Sequence, residues 1–277
     1  MGKVQRTKLK EDQTSRIRRR EQLVAEARQF NLLSNVFMSV ALDDIRACQH
    51  VLRVLTGVKD LVVTEIRTQY RVSKITSHDA ILDILAEDNN RKLYNIEIQR
   101  TDAIDHAKRT RFYGAIIDSE FLMKGKTYSE LSDVYIIYIS ETDLWKAGYA
   151  TYPVEKFFRN TDIPYDDGQH ILYVNASVDD GTEMAKLMRY FKTADPNDMS
   201  QGELSKRVHF LKCEEGGYDI MCEISEKIYR EGEEEQAKKT ALNMHKRGYS
   251  DETIAELLEV NVIKIQHWLA ENMSFVK

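Results

Sequence analysis

The residues best suited to chemistry lie in "HDAILDILAEDNNRKLYNIEIQR", residues 78–100. Two apolar runs flank a polar turn, and each run carries an acid at its centre, Asp83 and Glu97, with thirteen residues between them. Alternate side chains of a strand point to opposite faces. Asp83 therefore shares a face with Ile81, Leu85 and Glu87, and Glu97 shares one with Leu93, Asn95 and Gln99. Tyr94, Ile96 and Ile98 form the other, core-like face. Asn89-Asn90 suits a tight turn, because asparagine tolerates left-handed backbone angles. A hairpin centred on Asn90 sets Asp83 opposite Glu97, at a Cβ separation of about 5 Å. Two carboxylates that close repel each other unless a cation lies between them. Mg²⁺ suits the place, since carboxylates, carbonyl oxygens, waters and phosphate hold it. Gln99, one step beyond Glu97 on its face, is placed to orient a water. The plainer reading is two acids at a wet strand edge, each separately solvated, and a one-residue slip of register would part them.

The elements that must position these residues follow from periodicity. Residues 31–56 repeat apolar side chains at helical spacing and stop at Gly57. Residues 60–75, rich in Val, Thr, Ile and Tyr, read as a strand leading into the hairpin. Residues 101–125 read as a helix that starts with a Thr101 cap and stops at Gly125; residues 132–141 and 169–177 read as strands. Beyond Gly181 the pattern is helical. This order implies an α/β core with a mixed β-sheet flanked by helices, followed by an α-helical C-terminal region. The expected divisions are a basic N-terminal arm and helix (1–30), the core (31–200), a helical extension (201–245) and a tail (246–277).

Composition narrows the class. The 277 residues are 42% hydrophobic and 31% charged, with net charge −5, as in ordinary globular proteins. Three cysteines without paired spacing, no leader-like start and no run of about 20 apolar residues point to a cytoplasmic protein with no membrane partner. The first twenty residues carry eight basic side chains against two acids, either a phosphate-binding arm or a solvated tail. In the tail, Ser250 caps "DETIAELL", and a break at Val260-Asn261 leads to "VIKIQHWLAEN". Ile254, Leu257, Leu258, Val262, Ile265 and Trp268 form the apolar face of a helix-turn-helix. Its second helix offers few DNA-reading side chains (Lys264, Gln266 and His267), so DNA binding and packing or oligomerisation both remain open. His78 and Asp79 read as strand-entry polar groups or as support for the acids. His50 and His106 read as packing or surface.

"LDILAED" followed by "YNIEIQR" resembles the motif of the PD-(D/E)XK nuclease superfamily, and within it the recombination-promoting nuclease and putative transposase family, Rpn. "VFMSVALDD", "RTRFYGAIIDSEFLMKGKTYSEL", "VYIIYISETD", "DDGQHILYVN" and "FKTADPNDM" resemble further family segments in order, across roughly residues 31–225. The resemblance implies a restriction-endonuclease-like core and metal-dependent cleavage of DNA, linked to recombination or transposition. It implies Asp83, Glu97 and the main-chain carbonyl of Ile98 as ligands of Mg²⁺ or another divalent cation such as Mn²⁺ or Ca²⁺. Gln99 stands where the wider superfamily has lysine. A neutral amide can orient but supplies no charge. The charge must then come from the metal or from Arg100, Arg109 or Arg111, and Gln99→Lys would restore it. Arg111 and Tyr113 match family positions; Asp43 or Asp44, with Gln49, stand where the superfamily often carries an acid on its first helix. The rival reading is a catalytically weak or inactive nuclease-derived protein that binds DNA, or a regulator using its C-terminal helix-turn-helix. Assembly as a homo-oligomer is left open.

Overall fold

The computed structural model describes Ala25 and residues 28–72, 80–100 and 105–273. The basic arm up to Arg20, His78, Asp79 and the Thr101 cap lie outside the described residues.

The first helical stretch is two helices, not the single one expected. α1 spans Asn35–Leu42 and α2 spans Ile45–Thr56. The division falls at Asp44, whose carboxylate accepts the Arg46 and Ala47 amides at 3.0 and 2.9 Å. That is the work of an N-cap, which satisfies amides that a helix start leaves without partners. Gly57, at φ 74°, closes α2 in the left-handed conformation that glycine adopts without steric cost.

Six strands form one sheet in the order β1-β2-β3-β4-β6-β5. They are β1 (Val63–Val72), β2 (Ala80–Asp88), β3 (Leu93–Gln99), β4 (Val134–Ser140), β5 (Thr151–Val154) and β6 (Gln169–Asn175). β1, β2 and β3 pair antiparallel, while β3, β4 and β6 pair parallel. β5 joins β6 antiparallel at the edge, where Pro153 has no central ladder to break. The sheet is thus mixed, as expected. The crossover from β3 to β4 is α3 (His106–Phe121). Its Tyr113, Ile116 and Ile117 pack on Leu85, Leu93, Val134 and Ile136. At about 25 cal/mol per Å² of apolar surface removed from water, such a cluster anchors α3 over the hairpin. α1 and α2 pack against β1, and α1 also against β2.

Two further helices, α4 (Glu183–Thr193) and α5 (Gly202–Cys213), pack with α2. α6 (Glu215–Lys246) follows α5 around a tight corner. A Cβ on Gly217 would stand 1.9 Å from the Phe210 carbonyl oxygen, so only glycine fits there.

The chain divides into two compact units between Asp219 and Ile220. In the second, α7 (Asp251–Leu257) and α8 (Val262–Met273) pack Ile254, Ile265, Trp268 and Leu269 around Ala241. Ser250 caps α7 through the Thr253 amide, and Glu259, at φ 53°, makes the break between the helices. Of the two leucines expected in the apolar face, Leu257 is exposed and Leu258 packs against the cluster. No described helix is long and apolar enough to cross a membrane.

Candidate active site

The hairpin centres on Asn90, the register that sets Asp83 opposite Glu97. β2 and β3 pair from Glu87↔Leu93 to Ile84↔Ile96, and their ladder stops there. Past that point β2 stays with β1 as far as Val72↔Ala80, while β3 stays with β4 as far as Gln99↔Ser140. The sheet forks, and the two acids sit in the fork. Each carboxylate takes an amide of the opposite strand. Asp83 N donates to Glu97 Oε1 at 3.2 Å, and Ile98 N donates to Asp83 Oδ2 at 3.1 Å. These contacts replace the missing ladder, since buried backbone amides must find acceptors. The carbonyl of Ile98 lies on the same edge of the extended strand as its amide and so opens into the fork.

Both acids are buried, Asp83 at 6% and Glu97 at 4% exposure. Loss of solvent pushes both carboxyls above the ordinary carboxylate range, and the Asp83 charge pushes Glu97 further. Arg109 and the accepted amides pull both back. Asn95, on the face of Glu97, is fully buried, and neither of its amide atoms has a hydrogen-bond partner.

Gln69 stands across β1 from Asp83, between the pairs Thr68↔Ile84 and Tyr70↔Leu82. Its φ is 48°, a left-handed angle that costs a non-glycine residue about 1–3 kcal/mol. Its amide nitrogen donates to Asp83 Oδ1 at 3.2 Å and to Ser39 Oγ at 2.9 Å. Asn35, in the first turn of α1, donates to the same Oδ1 at 3.3 Å. The strained backbone thus coincides with a side chain turned onto the acid.

The other bank of the fork is built by α3. Arg109 Nη1 donates to Gln99 Oε1 at 2.8 Å, and its Nε and Nη2 donate to the Tyr113 hydroxyl at 3.2 and 2.9 Å. Burial holds the Tyr113 phenol up at about 12, so it stays a neutral acceptor. Tyr138 OH donates to the same Gln99 oxygen at 3.2 Å, and His106 Nδ1 lies 3.2 Å from that hydroxyl. The guanidinium is therefore fixed beside the acids, which feel its charge.

The structure brings together Asp83, Glu97, Ile98, Gln99, Arg109 and Tyr113. Elsewhere, Asp44 is the cap of α2, and Gln49 Oε1 accepts the Val63 amide at 3.1 Å, tying α2 to β1. Asp43 sits at the C-terminal cap of α1. Arg111 is exposed on α3, and Arg100 is exposed beside Glu141. Asn35, Ser39, Gln69, Asn95 and Tyr138 belong to the site although the sequence reading did not place them there.

The donor set suits a hard divalent cation. Two crowded carboxylates and a carbonyl face one gap, and each acid's proton affinity is raised in a manner a cation would relieve. Among the described residues no three His, Cys, Asp or Glu side chains gather as a metal site. A cation here would keep open positions for water or phosphate, as Mg²⁺ does.

A family model described as a PD-(D/E)XK nuclease family transposase matches residues 59–239, from just before β1 to within α6. The chain belongs to the PD-(D/E)XK nuclease family transposases. No curated protein and no solved structure matches it. The fold is accordingly a restriction-endonuclease-like α/β fold with C-terminal helices. The match includes every residue of the fork but not α1. Asn35 and Ser39 thus lie outside the matched segment, and only their hydrogen bonds to Asp83 and Gln69 tie them to the fork.

Proposed function

We propose that this family member hydrolyses DNA phosphodiester bonds with a divalent cation held in the sheet fork. One observation carries the reading: where β2 and β3 part, Asp83 and Glu97 cap each other's strands and crowd two buried carboxylates around one gap. Asp83, Glu97 and the Ile98 carbonyl would hold the ion, with Mg²⁺ the first choice and Mn²⁺ or Ca²⁺ alternatives. When bound, the ion supplies Lewis acidity that polarises a phosphate and lowers the pKa of water. Gln69 and Asn35 orient Asp83 by donating to Oδ1. Arg109, held by three hydrogen bonds to Gln99 and Tyr113, supplies the positive charge that superfamily lysines supply elsewhere, aimed where the phosphorane gathers negative charge. Gln99 acts through Arg109 and orients rather than charges. Water adds to phosphorus and gives up one proton, the P–O bond to the leaving sugar oxygen breaks, and that oxygen takes up one proton.

Gln99 in place of lysine favours the rival reading of a weak or inactive DNA-binding descendant; the fixed Arg109 favours activity. Incubation of supercoiled plasmid with the protein, with Mg²⁺ or with EDTA, separates them. Nicking that appears only with the ion supports hydrolysis; binding without nicking supports the rival. A role in recombination or transposition rests on the family, and a cytoplasmic setting rests on three cysteines without paired spacing.

A further inference from the structure

An aromatic track leaves the active site from Tyr138. Its ring meets His106 edge-on at 5.5 Å and Tyr173 at 5.7 Å. Both neighbours lead to Trp145: the His106 ring centroid is 6.4 Å away, and Tyr173 packs T-shaped at 4.4 Å. Tyr152 and then Tyr149 extend the track outward, at 5.3 and 5.9 Å. The inner end is 1% exposed at Tyr138, whereas Trp145 is 45% and Tyr149 65% exposed. Trp145 thus packs on buried Tyr173 and leaves much of its indole open to water.

Nor is it loose. The loop that carries it begins where β4 ends, beside Gln99, with the Glu141 amide donating to the Gln99 carbonyl at 3.2 Å. Asp143 accepts the amides of Trp145, Lys146 and Gly148 at 3.3, 3.0 and 2.7 Å, and the Tyr152 hydroxyl at 2.6 Å. Lys146 and Gly148 take left-handed angles, φ 55° and 78°, to close this turn. One carboxylate thus fixes a whole loop to present an indole beside the catalytic end of the sheet. Exposed basic side chains lie on the neighbouring segments: Lys146 in the loop, Arg100 just past β3 and Lys108 at the start of α3.

Exposed rings flanked by basic groups are the chemistry that grips unpaired nucleotides, because every base has a face to stack and every link a phosphate to neutralise. Resting on the hydrolase reading above, we infer that Trp145 stacks an unpaired base of the DNA next to the scissile phosphate. The substrate class is then single-stranded DNA, or DNA opened at the cut, rather than intact duplex. The partner is a nucleobase, not a second protein, because the track is continuous with Gln99 through Tyr138 and ends beside basic groups.

The test measures binding, not cleavage, so the two readings can fail separately. Fluorescence anisotropy follows a labelled 15-nucleotide single strand and a blunt hairpin duplex of equal charge, in EDTA, with wild type, Trp145→Ala and Trp145→Phe. Stacking of one base predicts that Trp145→Ala weakens single-strand binding by about 5- to 100-fold. Duplex binding should change less than twofold, and Trp145→Phe should keep most of the single-strand affinity. A melting temperature for Trp145→Ala within a few degrees of wild type shows that the loop change is local. Should Trp145→Ala fail to melt cooperatively, quenching of Trp145 fluorescence by the single strand in a Trp268→Phe background replaces it. Equal affinity of wild type for both DNAs, equal loss on both, or no quenching would overturn the inference. A clear single-strand effect with no cleavage under any metal would keep the platform and sink the hydrolase.

Discussion

Replacing Glu97 by glutamine should stabilise the metal-free protein. The substitution keeps the shape and an oxygen for the Asp83 amide but removes one of two buried like charges. Taking a separation of about 5 Å and an effective dielectric constant of about 20, their repulsion is roughly 3 kcal/mol. For a unit of this size each kcal/mol moves the melting temperature by about 2–4 °C, so Glu97→Gln should melt roughly 6–12 °C higher at pH 8. The dependence on pH fixes the sign. Burial and Asp83 raise the Glu97 pKa in the folded state above the value it has when unfolded. Between those two values the folded state holds more protons, so stability falls as pH rises through that window. Below the unfolded value both states are protonated and the advantage of the variant vanishes. Melting in EDTA from pH 4 to pH 8, wild type against Glu97→Gln, reads this directly. Mg²⁺ or Mn²⁺ at about a thousandfold excess over Kd should reverse the order, adding about 4.1 kcal/mol to wild type and little to the variant. A variant that melts lower at every pH, or a wild-type slope that the substitution leaves untouched, would refute crowding of two charges in the fork.

Other outcomes follow from named contacts. Gln69→Gly should leave the melting temperature within a few degrees, since relief of the φ 48° strain offsets the lost hydrogen bonds, yet slow cleavage at least tenfold; a drop in stability without a drop in rate would deny Gln69 its positioning role. Gln99→Lys, which by restoring the charge was expected to keep or increase activity, should instead lower it, because the new ammonium would face Arg109 Nη1 where an acceptor 2.8 Å away now stands. The double variant Gln99→Lys with Arg109→Gln should recover part of the loss in plasmid-nicking rate. Gly217→Ala should destabilise the first unit by several kcal/mol, seen as loss of cooperative melting, because its Cβ would meet backbone at the α5–α6 corner. Removing residues 2–20 takes away eight basic and two acidic side chains and should flatten the log–log salt dependence of DNA binding by about one unit for each lost phosphate contact; an unchanged slope would make the arm a solvated tail.

The hairpin was legible because a period-two pattern and an Asn-Asn turn leave little freedom of register, and the acids fell opposite each other as that register requires. The fork was not, because the point where two strands part depends on which outer neighbour each keeps. Gln69 reads in sequence as one polar residue on a strand; its left-handed angle accompanies hydrogen bonds to Ser39 and Asp83 that lie far off in the chain. Arg109 and Arg111 stand two apart on α3, so only one can face the site, and nothing local says which. A carboxylate just before a helix serves equally as cap or as ligand, and Asp44 proved to be the cap. Pro153 hid β5, since proline argues against a strand except at an edge. Leu257 and Leu258 differ by about 100° around a helix, a difference that two adjacent leucines do not reveal.

Nicking of supercoiled plasmid by wild type, Asp83→Asn and Glu97→Gln, each with Mg²⁺, Mn²⁺ or EDTA, tests the central claim most directly. Wild type should nick DNA with a divalent ion and not with EDTA, and both variants should be at least a hundredfold slower while remaining folded. Cleavage that survives EDTA, or that survives in both folded variants, would contradict a cation held by Asp83 and Glu97.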